Sequence, residues 1–158
     1  MKSSEKTNVM RLLDAKKISY QEYTYPEDQA VSATEVAAFL KQDPEQVFKT
    51  LVTVGKSGGH YVFVIPGPAE LDLKKAAHAV GEKSIEMLKS KDLLGLTGYI
   101  HGGCSPIGMK KFFRTTVHES AKNYPAVLMS AGRRGYQVAV SPDDLGKMIR
   151  FEYADLIK

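Results

Sequence analysis

The sequence lacks tryptophan, has a single cysteine, Cys104, and has no apolar run near the roughly 18 residues that span a membrane. One cysteine cannot form a disulfide within the chain, so we expect a protein of a reducing compartment, the cytoplasm. The first residues are polar and lead into an amphipathic segment, and we therefore expect a soluble chain with neither a secretory signal nor a membrane anchor.

Metal and nucleotide signatures are also missing. The four histidines, at positions 60, 78, 101 and 118, do not have the paired spacing of a zinc site. The sequence contains neither a Walker motif nor the glycine pattern of a dinucleotide-binding fold. We therefore expect no metal and no cofactor. The net charge of +4 is mild, and it permits a polyanionic partner without requiring one.

Residues 1–158 are predicted to form a single α+β domain, because no repeat, low-complexity tract or long linker divides them. A first helix is expected behind Thr7, ending near Lys17, and a second behind a capping box at 32–35. Further helices are expected at 73–80, between a cap at Asp72 and a closing Gly81, from about position 90, and at 141–149. Strands are expected at 20–25, 48–54, 61–65, 84–88, 99–101, 115–118, 126–130, 136–140 and 151–156, with a hairpin at Gly58-Gly59.

Lys49 is the first residue that this pattern does not explain. It lies in a predicted strand whose two faces both look apolar, with Val47 and Leu51 on its own side. An ammonium group is costly to bury without a partner, so Lys49 either reaches a sheet edge or points into a polar pocket. The pattern alone favours a lysine that protects an edge strand from aggregation, with a functional lysine as the alternative.

The second unusual feature is a glycine-rich segment at 98–108, which contains four glycines and a proline. Glycines let the backbone N–H groups approach a ligand, where they can bind a carbonyl oxygen or a phosphate. The structural alternative is a tight turn that needs flexible residues. Cys104 within this segment is interpreted as a small buried apolar residue rather than a nucleophile, and Ser105 as a turn residue whose hydroxyl faces the pocket.

Four blocks together make the chain resemble the YbaK/EbsC family of aminoacyl-tRNA deacylases. They are Val47-Phe48-Lys49-Thr50-Leu51, Leu71-Asp72-Leu73-Lys74-Lys75, the segment 97–108 and Ser130-Ala131-Gly132-Arg133-Arg134-Gly135. The similarity covers almost the whole chain, and the order and spacing of the blocks are specific although no single block is.

The resemblance implies a mixed, mostly antiparallel curved sheet or barrel surrounded by helices, with a pocket where the Lys49 strand meets the Gly102-Gly103 turn. Lys49, Gly102 and Gly103 are the expected catalytic residues, with the glycine N–H groups polarising an ester carbonyl. In the best-known mechanism of the family, the thiol of a misattached cysteine attacks its own ester. The expected substrate-binding residues are Tyr25, Thr50, Ser105, Ser130 and Gln137.

Basic residues lie beside these blocks, and the resemblance makes them candidates for binding the phosphates of the tRNA acceptor end. They are Lys74, Lys75, Lys110, Lys111, Arg133 and Arg134. For each of them, a solvated basic surface is the alternative. The expected partner is an aminoacyl-tRNA, tRNA(Pro) in the first place, with prolyl-tRNA synthetase as a candidate protein partner. The expected oligomeric state is a monomer or a weak homodimer.

Two departures from the family pattern bear on the choice of substrate. Members that act on cysteinyl-tRNA tend to carry an aromatic residue before the second helix and an acid after the Arg-Gly turn. Here the segment 29–33 has no aromatic residue, and Gln137 stands where the acid is expected. Removal of cysteine from tRNA(Pro) is the main expectation. The alternatives are the removal of alanine or another small amino acid by a bound water, and a non-catalytic module that binds tRNA or nucleotides.

Overall fold

Five α-helices and eight strands, joined by two 3₁₀ turns, make up residues 6–158, the part of the chain that this computed structural model describes. The helices are α1 (Asn8–Ala15), α2 (Ala33–Leu40), α3 (Leu73–Val80), α4 (Ser90–Thr97) and α5 (Pro142–Met148). The strands are β1 (Gln21–Thr24), β2 (Phe48–Gly55), β3 (His60–Pro66), β4 (Ile85–Met87), β5 (Arg114–His118), β6 (Val127–Ser130), β7 (Tyr136–Val140) and β8 (Phe151–Ala154). The 3₁₀ turns are Pro44–Gln46 and Glu119–Asn123.

The strands form two sheets, one of five strands in the order β4-β2-β3-β5-β8 and one of three strands in the order β1-β7-β6. Strands β2 and β3 form the predicted antiparallel hairpin, whereas β3, β5 and β8 run parallel to one another. The predicted α+β class is confirmed. Neither strand order returns to its first strand, so the barrel alternative is wrong: β4 and β8 lie at the two edges of an open sheet.

The two sheets meet where β2 begins. Val47 forms a parallel bridge with Leu128 of β6, so the two sheets are neighbours along this line. Phe48 packs into the largest apolar cluster, together with Val9, Met10 and other buried side chains. Val47 packs on the other side, against Leu128 and Ala37 of α2. This alternation along β2 gives the joined sheet a face that α2 covers at Val47 and that α3 covers further along, at Leu51; we call it the α2 face.

The helices begin at the residues that capping chemistry predicts. Thr7 Oγ1 accepts a hydrogen bond from Met10 N–H at 3.2 Å, and Asp72 accepts from Lys74 N–H and Lys75 N–H in the first turn of α3. Helix α1 ends at Ala15 rather than near Lys17, because Lys17 adopts a left-handed conformation with φ of 58°.

One predicted strand does not form. Residues 99–101 lie in an irregular segment, where Tyr99 and Ile100 form hydrogen bonds within the segment instead of along a strand. Tyr99 Oη donates to Ile107 O at 2.6 Å, and Gly103 N–H donates to Ile100 O at 2.9 Å. The β propensity of Tyr99 and Ile100 therefore predicted the wrong local structure, because the glycines allow the chain to fold back on itself.

No helix within residues 6–158 combines the length and the apolar character that crossing a bilayer requires.

Candidate active site

Lys49 is the second residue of β2, and its ammonium group is half-buried. Period-two alternation puts its side chain on the α2 face, the same face as Val47. Lys49 Nζ donates a hydrogen bond to Gly67 O at 2.9 Å. Burial lowers the pKa of Lys49, while the nearby carboxylate of Glu70 opposes that shift. The predicted strand lysine thus faces a partly desolvated site with only one carbonyl as its direct partner among the described residues.

The acceptor of this hydrogen bond, Gly67 O, is held in place because Gly67 packs closely against its neighbours. Its N–H donates to Val47 O at 2.8 Å, which ties the residue to the start of β2. A Cβ atom at this position would lie 2.7 Å from Ala33 Cβ and 3.0 Å from Val47 O. There is no room for a side chain at position 67, between β2 and α2. Glycine at this position therefore lets the Gly67 carbonyl approach Lys49.

The N-terminal end of α2 forms another wall of the site. Ser32 and Glu35 form the predicted capping box, in which Ser32 Oγ accepts from Glu35 N–H and Glu35 Oε1 accepts from Ser32 N–H. The same Glu35 oxygen accepts from Val31 N–H at 3.1 Å, and these hydrogen bonds lower the pKa of Glu35. The capping box therefore also fixes Val31, whose side chain lies against Gly102.

The turn at Gly102-Gly103 is held between α2 and the Arg133-Arg134 turn. Gly102 has φ of +85°, and a Cβ atom there would lie 2.9 Å from Val31 Cγ1 and 3.0 Å from Arg134 Nε. Arg134 Nε donates to His101 O at 2.7 Å. Gly103 N–H is already used in the bond to Ile100 O, whereas Gly102 N–H donates to no partner within residues 6–158. Gly102 is therefore the available backbone donor of the predicted pair.

Three of the five predicted substrate-binding residues carry a buried polar atom without a hydrogen-bond partner in the described chain. They are Tyr25 Oη, Thr50 Oγ1 and Gln137 Oε1. An unpaired buried polar group costs about 1–3 kcal/mol, so such groups are expected where a ligand or water supplies the missing bond. The structural sign that this region binds a polar ligand rests on Tyr25 and Gln137, because Thr50 lies on the opposite face of β2 from Lys49.

Strand register shows which of these side chains share a face. Gln137 pairs with Ser130 on one side and with Tyr23 on the other, and directly opposite residues project to the same face. Tyr23 packs in the cluster under α2, so Gln137 and Ser130 lie on the α2 face. The parallel bridge between Val47 and Leu128 puts Lys49 and Ser130 at the same level on neighbouring strands. Lys49, Ser130 and Gln137 therefore form one row.

Tyr25 and Thr50 differ in their position relative to this row. Tyr25 N–H donates to Gly135 O at 2.9 Å, so Tyr25 continues the β1–β7 ladder toward the Arg133-Arg134 turn. Thr50 alternates to the opposite face of β2, where it pairs with Val64 of the largest cluster. The structure thus brings Tyr25 to the α2 side but directs Thr50 away from Lys49.

The hydroxyl groups of the two predicted serines, Ser105 and Ser130, accept hydrogen bonds from backbone N–H groups two residues further along the chain. Ser130 Oγ accepts from Gly132 N–H at 3.1 Å, and Ser105 Oγ accepts from Ile107 N–H at 3.2 Å. The side chain of Ser105 is fully enclosed, as expected of a turn residue. A role of Ser105 in substrate contact stays a prediction.

The predicted basic residues separate into two groups. Arg133, Arg134 and Lys110 lie beside the glycine-rich segment, where Lys110 N–H donates to Thr97 O. A cleft of about 200 Å³ opens there, lined by Arg133, Arg134, Gly132, Glu27 and residues 98–100. Lys111 stacks at 5.9 Å over the Phe113 ring. Lys74 and Lys75 lie on the first turn of α3, beside Asp155.

Sequence reasoning missed three residues that shape this site: Gly67, Val31 and Glu70. Each acts through a contact between segments that are distant in the chain. The one local signal for them in the sequence was the Gly-Pro pair at 67–68, which is typical of a turn. Within the described residues, no three His, Cys, Asp or Glu side chains come together as metal ligands.

The fold and this row of polar groups define a small α+β ligand-binding domain in which the Gly67 partner of Lys49 and the Gly102 turn both lie against the N-terminal end of α2. Comparison with known proteins agrees with that class. Residues 27–148 match the family described as the aminoacyl-tRNA editing domain. The chain belongs to this family, which confirms the resemblance seen in its four sequence blocks.

Individual relatives cover the chain almost completely. A protein of Enterococcus faecalis named "Putative Cys-tRNA(Pro)/Cys-tRNA(Cys) deacylase EbsC" is 47% identical over 156 residues, 98% of this chain and 95% of that protein. A solved structure of "a putative trans-editing enzyme for prolyl tRNA synthetase" superposes with a TM-score of 0.82 at 25% identity, over 98% of this chain and 99% of the other. A proline–tRNA ligase of Pelobacter propionicus is 31% identical over 80 residues, which are 51% of this chain and 14% of the ligase.

Proposed function

We propose that this chain is a trans-editing aminoacyl-tRNA deacylase that removes a misattached amino acid, cysteine on tRNA(Pro) in the first place, by cleaving the aminoacyl ester. The observation that carries the proposal is the row formed by Lys49, Ser130 and Gln137 on the α2 face, with an unpartnered acceptor at Gln137 Oε1. Membership of the editing-domain family and the name of the Enterococcus faecalis relative support it.

The groups of the pocket suit an aminoacyl ester. The ester carbonyl becomes an oxyanion during cleavage, and the Lys49 ammonium with Gly102 N–H would stabilise that charge in a partly desolvated site. Gln137 Oε1 is a buried acceptor, which fits the α-ammonium group of the substrate. Because Gln137 is neutral, it would hold this group by a hydrogen bond and not by an ion pair.

The chain itself supplies no thiolate at the site. Cys104 is buried, and burial raises the pKa of its thiol to about 12, so the thiol stays protonated near neutral pH. We therefore assign the attack to the substrate. The cysteine sulfur forms a bond to the ester carbonyl carbon, the carbon–oxygen bond to the ribose breaks, and the thiol proton ends on the ribose oxygen. Water then opens the released thiolactone to free cysteine.

Replacing Cys104 with alanine is expected to leave amino-acid release from Cys-tRNA(Pro) within about twofold of the parent rate, because the thiol is not needed for attack. Loss of one buried sulfur is expected to cost about 1 kcal/mol of unfolding free energy. Release assays and denaturant unfolding would measure the two effects. A Cys104→Ala variant that unfolds normally but releases nothing would overturn the substrate-assisted mechanism.

Contacts to tRNA belong to the same proposal. Arg133 and Arg134 flank the glycine turn, where their charge would favour the phosphates next to the ester. Lys110 and Lys111 continue the basic surface along the same segment. Such contacts orient the acceptor end without reading sequence, which suits an enzyme that takes its choice of tRNA from a partner such as prolyl-tRNA synthetase.

A direct test compares three substrates on the same tRNA(Pro): cysteinyl, seryl and alanyl esters. We expect release of cysteine to be at least about tenfold faster than release of serine, because a thiol is a better nucleophile near neutral pH than a hydroxyl. Equal rates for all three esters would assign the attack to a bound water. Binding of charged tRNA without any release would make the chain a non-catalytic module.

A further inference from the structure

Lys74 and Lys75 are adjacent on α3, yet their side chains have different surroundings. Lys75 Nζ donates to Ile157 O at 2.7 Å and to Asp155 Oδ2 at 2.9 Å. Lys74 is exposed, and its ammonium group has no hydrogen bond or ion pair within residues 6–158. The Lys75 ammonium is therefore paired within the protein, whereas the Lys74 ammonium faces solvent.

The segment that Lys75 holds, residues 155–158, is paired with the loop that leads into α3. Leu71 forms an antiparallel bridge with Ile157, Asp72 N–H donates to Leu156 O at 2.7 Å, and Lys158 N–H donates to Glu70 O at 3.2 Å. We call residues 155–158 the strap. Its other side is fixed on β5, because Leu156 N–H donates to His118 Nδ1 at 3.2 Å.

The loop under the strap, residues 67–72, contains both groups that act on Lys49. Gly67 O accepts the hydrogen bond from Lys49 Nζ, and the carboxylate of Glu70 favours its charged form. The loop is tied to β2 at one end through Gly67 N–H and Val47 O. Its other end, at Glu70 and beyond, is held by the strap.

We propose that Lys75 is a positioning residue for Lys49: by holding the strap, it fixes the 67–72 loop and with it the carbonyl and the carboxylate that orient the Lys49 ammonium. The role in catalysis rests on the proposed deacylase function. It replaces the expectation that Lys75 binds a tRNA phosphate, since the described contacts of Lys75 are made to the strap. Lys74 keeps the phosphate-binding expectation.

Steady-state kinetics of three variants separates the two roles. Lys75→Met keeps the length of the side chain and removes its charge, and we expect kcat for Cys-tRNA(Pro) to fall roughly ten- to a hundredfold with KM nearly unchanged. Lys75→Arg can still donate to both strap oxygens and is expected to restore most of kcat. Lys83→Met, at an exposed lysine just after α3 that has no role in the proposed site, is the matched control and is expected to keep both kcat and KM. A raised KM, a weaker salt dependence and a normal kcat in Lys75→Met would overturn the proposal in favour of phosphate binding.

A titration of Lys49 tests the same inference without any turnover. The side-chain NMR signals of Lys49, assigned by their loss in Lys49→Arg, are followed against pH in the parent chain, Lys75→Met and Lys83→Met. We expect the pKa of Lys49 to change only in Lys75→Met, because a loosened loop alters both the burial of the ammonium and its distance from the Glu70 carboxylate. An identical titration in all three chains would reject the strap as a positioning device, whereas a parent chain that releases no amino acid would reject the deacylase function alone.

Discussion

Replacing Lys49 with alanine is expected to slow the release of cysteine from Cys-tRNA(Pro) by about 10²- to 10³-fold, the effect of removing one group that stabilises an oxyanion. The ammonium is half-buried, so its charge acts through a medium less polarisable than water. Its hydrogen bond to Gly67 O keeps it on the α2 face beside Ser130. Single-turnover rates at saturating enzyme would measure this loss without interference from product release.

The fold is expected to survive the Lys49→Ala change. Burial lowers the pKa of Lys49, which means that the folded state disfavours its charged form, and removing the ammonium relieves this cost. The change leaves Gly67 O without its donor, so the two effects oppose each other and the unfolding free energy should shift by no more than about 1 kcal/mol. Lys83→Ala, at an exposed lysine outside the proposed site, is the control for loss of one positive charge. Full activity in Lys49→Ala with unchanged unfolding would remove Lys49 from the mechanism.

Lys49 could be singled out from the sequence because the conflict was local. A lysine between apolar strand residues contradicts the period-two pattern, and such a contradiction is expected where function overrides stability. The capping box at Ser32 and the cap at Asp72 were also readable, since each signal lies within four residues. The contribution of a cap to the site could not be read in the same way. The contact of Val31 with Gly102, for example, joins segments that are distant in the chain.

The strap shows why the role of Lys75 could not be predicted. Lys75 and its acceptor Ile157 O are 82 residues apart, and the spacing of the lysines suggested only a basic surface. The same limit applies to Gly67, whose neighbours Ala33 and Lys49 come from separate elements. Sequence patterns report periodicity and caps along the chain, whereas these roles arise from packing across it.

The glycine-rich segment gave a site expectation that stays a prediction, and its predicted local structure was wrong. The pattern of Tyr99 and Ile100 predicted a short strand, but Tyr99 is instead an anchor whose buried hydroxyl bonds to Ile107 O. Burial raises the pKa of Tyr99 to about 12, so this donor remains protonated at any working pH. The anchored segment includes Gly102 and holds it at φ of +85°.

Replacing Gly102 with alanine is expected to reduce the release of cysteine by about a hundredfold, comparable to the loss of one oxyanion-hole donor. Gly102 has φ of +85°, where an L-residue is strained by roughly 1–2 kcal/mol. Its new methyl group would also lie 2.9 Å from Val31 Cγ1 and 3.0 Å from Arg134 Nε, so the turn, α2 or Arg134 must move. Any of these movements displaces the backbone donor from the ester carbonyl.

Gly58→Ala separates backbone strain from the loss of the donor. Gly58 has φ of +94° in the β2–β3 hairpin, and a Cβ atom there meets nothing within 4 Å. Both substitutions therefore carry a similar conformational cost in unfolding free energy, but only Gly102→Ala disturbs neighbours in the site. We expect Gly58→Ala to lose stability and keep its rate per folded molecule, while Gly102→Ala loses both. Equal rates per folded molecule in the two variants would show that the Gly102 N–H does not act on the ester, and the charge of Lys49 would then have to stabilise the oxyanion without it.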